Sequence, residues 1–139
     1  MELDEAMIVA GLGCRKGTSA RALLSAVDAA CAEAGISRRS IAALATGEIK
    51  RDEPGILELA EMLALPLHVV DETVLKQAEG RTKTVSKHSL ARTATPSLSE
   101  AAALARAGEG SQLIVARLIA DGATCALARS RELFMKDGA

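Results

Sequence analysis

Aromatic residues are almost absent from this 139-residue chain: it has no tryptophan or tyrosine, and Phe134 is its single phenylalanine. Its core must therefore come from Leu, Ile, Val, Ala and Met, within an apolar fraction of 49%. Scarcity of rings also argues against single-stranded nucleic acid, whose bases stack on aromatic side chains. Charge of one sign is not in excess either, the formal net charge being −1, so no global field draws the chain to nucleic acid or membrane. Cysteines are three (Cys14, Cys31, Cys125), an odd number without a CxxC pair. That inventory excludes a disulfide framework or a zinc site and suits a reducing compartment. The two histidines, His68 and His88, stand far apart without an acidic cluster, so no metal site is expected. No apolar run approaches the ~20 residues of a membrane span, and no secretory signal opens the sequence. Together these absences predict a cytoplasmic domain spanning residues 1–139, with no membrane, nucleic-acid or metal partner and no cofactor. At this length it buries roughly 68–70% of its unfolded surface.

What is present begins with residues 7–19, MIVAGLGCRKGTS. A short apolar run (Met7 to Ala10) breaks into a stretch with Gly11, Gly13 and Gly17, together with Cys14, Arg15 and Lys16. Thr18 or Ser19 then stands ready to cap a helix. Strand, glycine loop and helix start form the usual anion-binding corner of an α/β domain, where backbone N–H groups and the helix dipole favour negative charge. The spacing here is GxGxxxG, neither the dinucleotide fingerprint nor a Walker loop, and Glu48 is only a weak match for the ribose-binding acid. Three readings stay open: an anion site, a nucleotide site, or a tight turn that needs glycine for positive φ. Cys14 beside two cations at a helix start has surroundings that lower a thiol pKa. A catalytic thiolate also wants a histidine, and the sequence places neither His68 nor His88 against it.

Downstream, Leu23, Leu24, Val27, Ala30, Cys31 and Ala34 recur on one helical face from Ala20, with Gly35 as the stop. Cys31 on that stripe reads as core. Residues 41–46 (IAALAT) form a second strand. A helix then starts at Pro54 with Asp52 or Glu53 as its cap, buries Ile56, Leu57, Leu59, Ala60 and Leu63, and exits at Pro66. Residues 67–70 form a third strand, and Asp71 caps a short helix. Residues 80–96 hold Arg81, Lys83, Lys87, His88 and Arg92 with no acid, which fits a solvated loop or a basic flap over an anionic ligand. Ser97 and Glu100 in SLSE match a capping box opening a helix to about Ala107. Finally, two strand-like runs meet at Asp121-Gly122, a type I′ hairpin signal. The alternation predicts an α/β three-layer sandwich with a mixed sheet, parallel in its first part and closed by a C-terminal antiparallel hairpin.

Strand C-termini share one edge in such a sheet, so Lys50, Asp52 and Glu53 should face the same crevice as the glycine loop. Lys50 would pair with a ligand, and Asp52 or Glu53 would serve as general base or orient a donor. The plainer alternative is a helix cap with a surface ion pair.

The order of GLGCRKGTS, ALATGEIKRDEPGILELAEMLALPL, SLSEAAALARAG and a hairpin ending TCALAR resembles the cobalamin-biosynthesis family of CobE and the CbiG C-terminal domain. The resemblance covers residues 7–129 and is nearest to the stand-alone CobE form. It implies work on the corrin ring. CbiG-type members open a cobalt-precorrin lactone and release a two-carbon fragment as acetaldehyde, whereas CobE belongs to the aerobic route. The implied partner is a precorrin-type tetrapyrrole, with other cobalamin-pathway enzymes as further partners. Carried over residue by residue, the substrate-binding positions are Gly11, Gly13, Cys14, Arg15, Lys16, Gly17, Thr46, Lys50, Ser99 and Glu100, with Asp52 and Glu53 in acid/base roles. Precorrins carry many carboxylates around an apolar face. Cations would neutralise the arms, and aliphatic side chains would cover the macrocycle.

Overall fold

The computed structural model describes residues 7–78 and 97–131. The basic segment of residues 80–96 and Phe134 lie outside the described residues. Five strands form one mixed sheet in the order β3-β2-β1-β5-β4. They are β1 (Ile8–Cys14), β2 (Ile41–Gly47), β3 (Leu67–Val70), β4 (Gln112–Ala120) and β5 (Ala123–Arg129). β1, β2 and β3 run parallel, and β5 returns antiparallel to both β1 and β4. Helices α1 (Ala20–Ala34) and α2 (Pro54–Leu63) cover one face, while α3 (Glu72–Ala78) and α4 (Leu98–Ala107) cover the other. The predicted α/β sandwich with its late hairpin is what forms.

Local chemistry explains most of the element boundaries. Ser19 Oγ accepts from Ala22 N at 3.1 Å to start α1, and Gly35 at φ 72° ends it. The apolar stripe between them buries Leu23, Ala26, Val27, Ala30 and Cys31 against the sheet. Asp71 Oδ1 accepts from Thr73 N at 2.8 Å at the head of α3. Ser97 Oγ accepts from Glu100 N at 3.3 Å at the head of α4. Asp121 (φ 54°) and Gly122 (φ 84°) both occupy the left-handed region, as a type I′ turn requires. α2 ends on Ala64, whose φ of 54° is unusual for a residue with a Cβ.

One boundary differs from the sequence reading. β1 does not break at Gly11 but continues to Cys14, so Gly11 and Gly13 are buried strand residues and the loop shrinks to residues 15–19. The cause lies across the sheet. A Cβ on Gly11 would collide with the Ser99 carbonyl oxygen and would stand 2.9 Å from the Ala103 Cβ. α4 therefore lies with its backbone directly on β1. Its alanines (Ala101, Ala102, Ala103) permit that approach and fill the second half of the core together with Val9, Ala45 and Ala128. Gly11 is glycine for contact with a helix, not for loop conformation.

Two substitutions with opposite signs check this account by denaturant unfolding. Gly11→Ala should lower stability by about 1–3 kcal/mol through overpacking against backbone. Ala64→Gly should raise it by up to about 1 kcal/mol by relieving the left-handed cap. An unchanged midpoint for Gly11→Ala would contradict the close approach of α4.

Candidate functional site

β1 and β2 are in parallel register, Gly11 opposite Ala45, so the segments leaving them emerge on one edge of the sheet. From β1 comes the turn of residues 15–19. Thr18 folds it back, its N–H (3.1 Å) and its Oγ1 (2.7 Å) both donating to the Arg15 carbonyl. Gly17 takes φ 83° at the turn, and Arg15 N donates to Gly122 O of the hairpin at 3.4 Å. From β2 comes a single 3-10 turn, Glu48–Lys50, which leads into α2.

Glu53 joins the two segments. It is the cap residue of α2, yet its side chain makes no capping bond there. Instead the carboxylate, 8% exposed, reaches the other segment, where Oε2 accepts from Gly17 N at 2.9 Å. Oε1 stands 4.0 Å from Lys50 Nζ, and the Lys50 side chain is itself only 19% exposed. A charge-assisted bond to a backbone amide contributes roughly 1.5–3 kcal/mol toward ordering the turn, beside the Thr18 and Arg15 bonds. Gly55 allows the closeness, since a Cβ there would collide with Thr18 O. Asp52 is exposed on the same approach to α2, and Arg15, Lys16 and Gly17 are exposed on the turn.

The expected crevice partners thus meet, but not as free groups. The Gly17 amide that an anionic ligand was expected to use is taken by the protein's own carboxylate. The amides of Arg15 and Thr18 are also committed to carbonyls within the fold. What the edge presents outward is side-chain charge, from Arg15 and Lys16.

Cys14 lies half-buried at the end of β1. Burial pushes its thiol above the ordinary range, Glu53 adds to that, and Lys50 and the Thr18 hydroxyl oppose it without prevailing. This overturns the expectation of a lowered thiol pKa: desolvation outweighs the nearby cation, and the thiol stays protonated at neutral pH. His68 on β3 is shifted down by burial and, to a lesser degree, by Arg106.

The remaining expected residues are built into the frame. Thr46 is fully buried, and its Oγ1 donates to Leu12 O at 2.9 Å, stitching β2 to β1. Ser99 is buried with its Oγ 3.2 Å from Ser97 Oγ. Glu100 is 0% exposed, and its Oε2 accepts from Arg117 N at 2.9 Å. Between Val115 and Leu118 the register of β4 slips by one residue, so a bulge draws that amide out of the ladder and Glu100 receives it. Gly55 and Arg117 escaped the sequence reading, and Thr18, read there as a candidate helix cap, closes the turn instead while Ser19 caps α1. Only Gly55 left a trace, as a poor helix former inside a first turn.

Two surface grooves of about 530 and 480 Å³ lie elsewhere, one beside Arg38 and Met62, the other beside Val74 and Glu109. Neither includes a residue of this edge. Among the described residues, no group of three or more His, Cys, Asp or Glu could hold a metal ion. Nor is any helix among them long and apolar enough to cross a membrane.

Comparison with known proteins places these features in a wider setting. A family model described as cobalamin synthesis G C-terminus matches residues 8–128. Protein CobE of Sinorhizobium sp is 32% identical over 121 residues, 87% of this chain and 79% of that protein. The cobalt-precorrin-5A hydrolase of Priestia megaterium is 41% identical over 54 residues, 39% of this chain but only 14% of the hydrolase. The crystal structure of CobE, a protein from the cobalamin (vitamin B12) biosynthetic pathway, superposes with a TM-score of 0.83 at 38% identity, covering 91% of this chain and 92% of that one.

The protonation of Cys14 is open to direct measurement. Its alkylation rate should rise with pH to a midpoint above the ~8.5 of an unperturbed thiol. Lys50→Ala should move that midpoint higher still, because the ammonium group is what holds it down. A midpoint below that of the unfolded chain would contradict the burial argument. Protein stability should likewise be complete below the unfolded thiol pKa and fall as pH rises beyond it, because the unfolded chain then releases the protons that the folded chain retains.

Proposed function

The chain belongs to the family of CobE and the CbiG C-terminal domain and is a protein of cobalamin biosynthesis; from that premise we propose that it binds a precorrin-type tetrapyrrole at the rim of residues 14–18 and 49–53, as a carrier or assisting factor. The observation that carries the reading is the turn with Arg15 and Lys16 outward and Glu53 locked beneath it. A cationic turn held in one conformation binds carboxylates with less entropy to lose than a mobile one. Precorrins offer several carboxylate arms, and guanidinium and ammonium groups suit them as charge-assisted partners. Committed amides at Arg15, Gly17 and Thr18 count against a phosphate cradle, and hence against the nucleotide-binding alternative.

The local match to a cobalt-precorrin-5A hydrolase favours a second reading, hydrolase or lyase chemistry on a precorrin lactone or its two-carbon fragment, with Asp52 or Glu53 as the acid/base. Glu53 is poorly suited, since one oxygen holds the Gly17 amide and the other faces Lys50. In this reading exposed Asp52 is the stronger choice, and Glu53 positions the turn.

Titration with hydrogenobyrinic acid, followed by its visible absorbance, tests the first reading. The wild-type chain should bind with stoichiometry near one, more weakly as salt rises, because exposed charges are screened over about 8 Å at physiological ionic strength. Arg15→Ala/Lys16→Ala should weaken binding by about tenfold, some 1.4 kcal/mol, without changing the melting temperature. Absence of any spectral change or co-elution with wild type would overturn the proposal. Multiple turnover of a cobalt-precorrin lactone, abolished by Asp52→Asn in a folded protein, would replace it with the second reading.

A further inference from the structure

We infer that Ile49 is the side chain that lies against the apolar face of the ligand, an inference that rests on the tetrapyrrole reading above. The 3-10 turn of Glu48–Lys50 has about three residues per turn, so consecutive side chains point in different directions. Lys50 is the one turned inward, 19% exposed and facing Glu53. Ile49 is turned out, 81% exposed, more than any other large apolar side chain among the described residues. A lysine inside and an isoleucine outside, on adjacent positions, reverse the ordinary preference of both residues. One exposed apolar residue is commonplace on a protein surface. Here the exposure accompanies the geometry of the turn, in which Lys50 faces Glu53 and Ile49 faces water.

The base of the turn is closely packed. Gly47 immediately precedes the turn, and a Cβ there would stand 2.8 Å from Leu98 Cδ1 and 3.3 Å from Leu75 Cδ2. The end of β2 thus packs beneath Leu98 of α4 and Leu75 of α3. The result is a stiff, β-branched apolar knob two residues from exposed Arg51. A flat macrocycle edged with carboxylates needs that combination: apolar contact on its face and cations at its perimeter. In a chain whose single aromatic residue is Phe134, aliphatic side chains are the main source of such contact.

The test uses the full chain and hydrogenobyrinic acid at low and at high salt, with Arg15→Ala/Lys16→Ala as reference. Ile49→Ser should weaken binding by about tenfold, the order expected when burial of one such side chain is lost. It should do so equally at both salt concentrations, whereas the reference variant flattens the salt dependence. Ile49→Leu should bind close to wild type, and thermal melting should show all variants folded. Wild-type binding with an unaltered Ile49→Ser affinity would overturn this inference and leave the tetrapyrrole reading standing. So would an Ile49→Ser defect that vanishes at high salt. No binding by wild type would overturn both.

Discussion

A single carboxylate ties together the sheet edge proposed as the binding rim. Glu53 is 8% exposed and spends its charge within the fold, on the Gly17 amide and on Lys50. Burying a carboxylate is costly unless it is hydrogen-bonded and paired, and here both conditions are met at once. The bond spans 36 residues of sequence, joining the turn after β1 to the start of α2. It anchors the turn from which Arg15 and Lys16 project, while the other carboxylate oxygen faces Lys50 and the neighbouring Ile49 stands in water. Remove it and the turn loses that anchor.

The second constraint lies on the opposite face of the sheet, where α4 rests on β1 through Gly11 and a run of alanines. That seam brings Leu98 over Gly13 and Gly47 at the same edge. It also carries Glu100 to the bulge of β4, where a second buried carboxylate receives the Arg117 amide. These residues belong to motifs that a sequence reader assigns to binding, yet their polar atoms are engaged within the frame. Family motifs here mix two kinds of residue: those that shape the edge, such as Gly11, Thr46 and Glu100, and those that stand on it, such as Arg15 and Lys16.

Sequence alone was sufficient at most positions where the decisive interaction is local, though Leu57, read as buried in α2, is 44% exposed. The helical stripe from Leu23 to Cys31, the cap at Ser97 and the Asp121-Gly122 turn each depend on contacts within a few residues, and each appears in the structure as read. It failed where the decisive contact is distant. Gly11 has the same local appearance in a loop as in a strand, and only the arrival of α4, nearly ninety residues later, distinguishes them. Cys14 has cations beside it in sequence, but burial governs its thiol. Glu53 resembles an ordinary helix cap until the turn it holds is seen across the edge. Glu100 likewise completes a capping box on paper, while its carboxylate serves a bulge seventeen positions away.

The proposed function rests on the joint between these two constraints: a cationic, partly apolar rim in a chain of the CobE and CbiG C-terminal family. The most direct measurement of that claim is backbone amide mapping across the chain with and without hydrogenobyrinic acid. The account predicts shifts and added exchange protection concentrated at residues 14–18 and 49–53, with the Gly17 amide already protected before ligand is added. Protection gathered instead around Arg38 and Met62, or around Val74 and Glu109, with the rim unchanged, would contradict it.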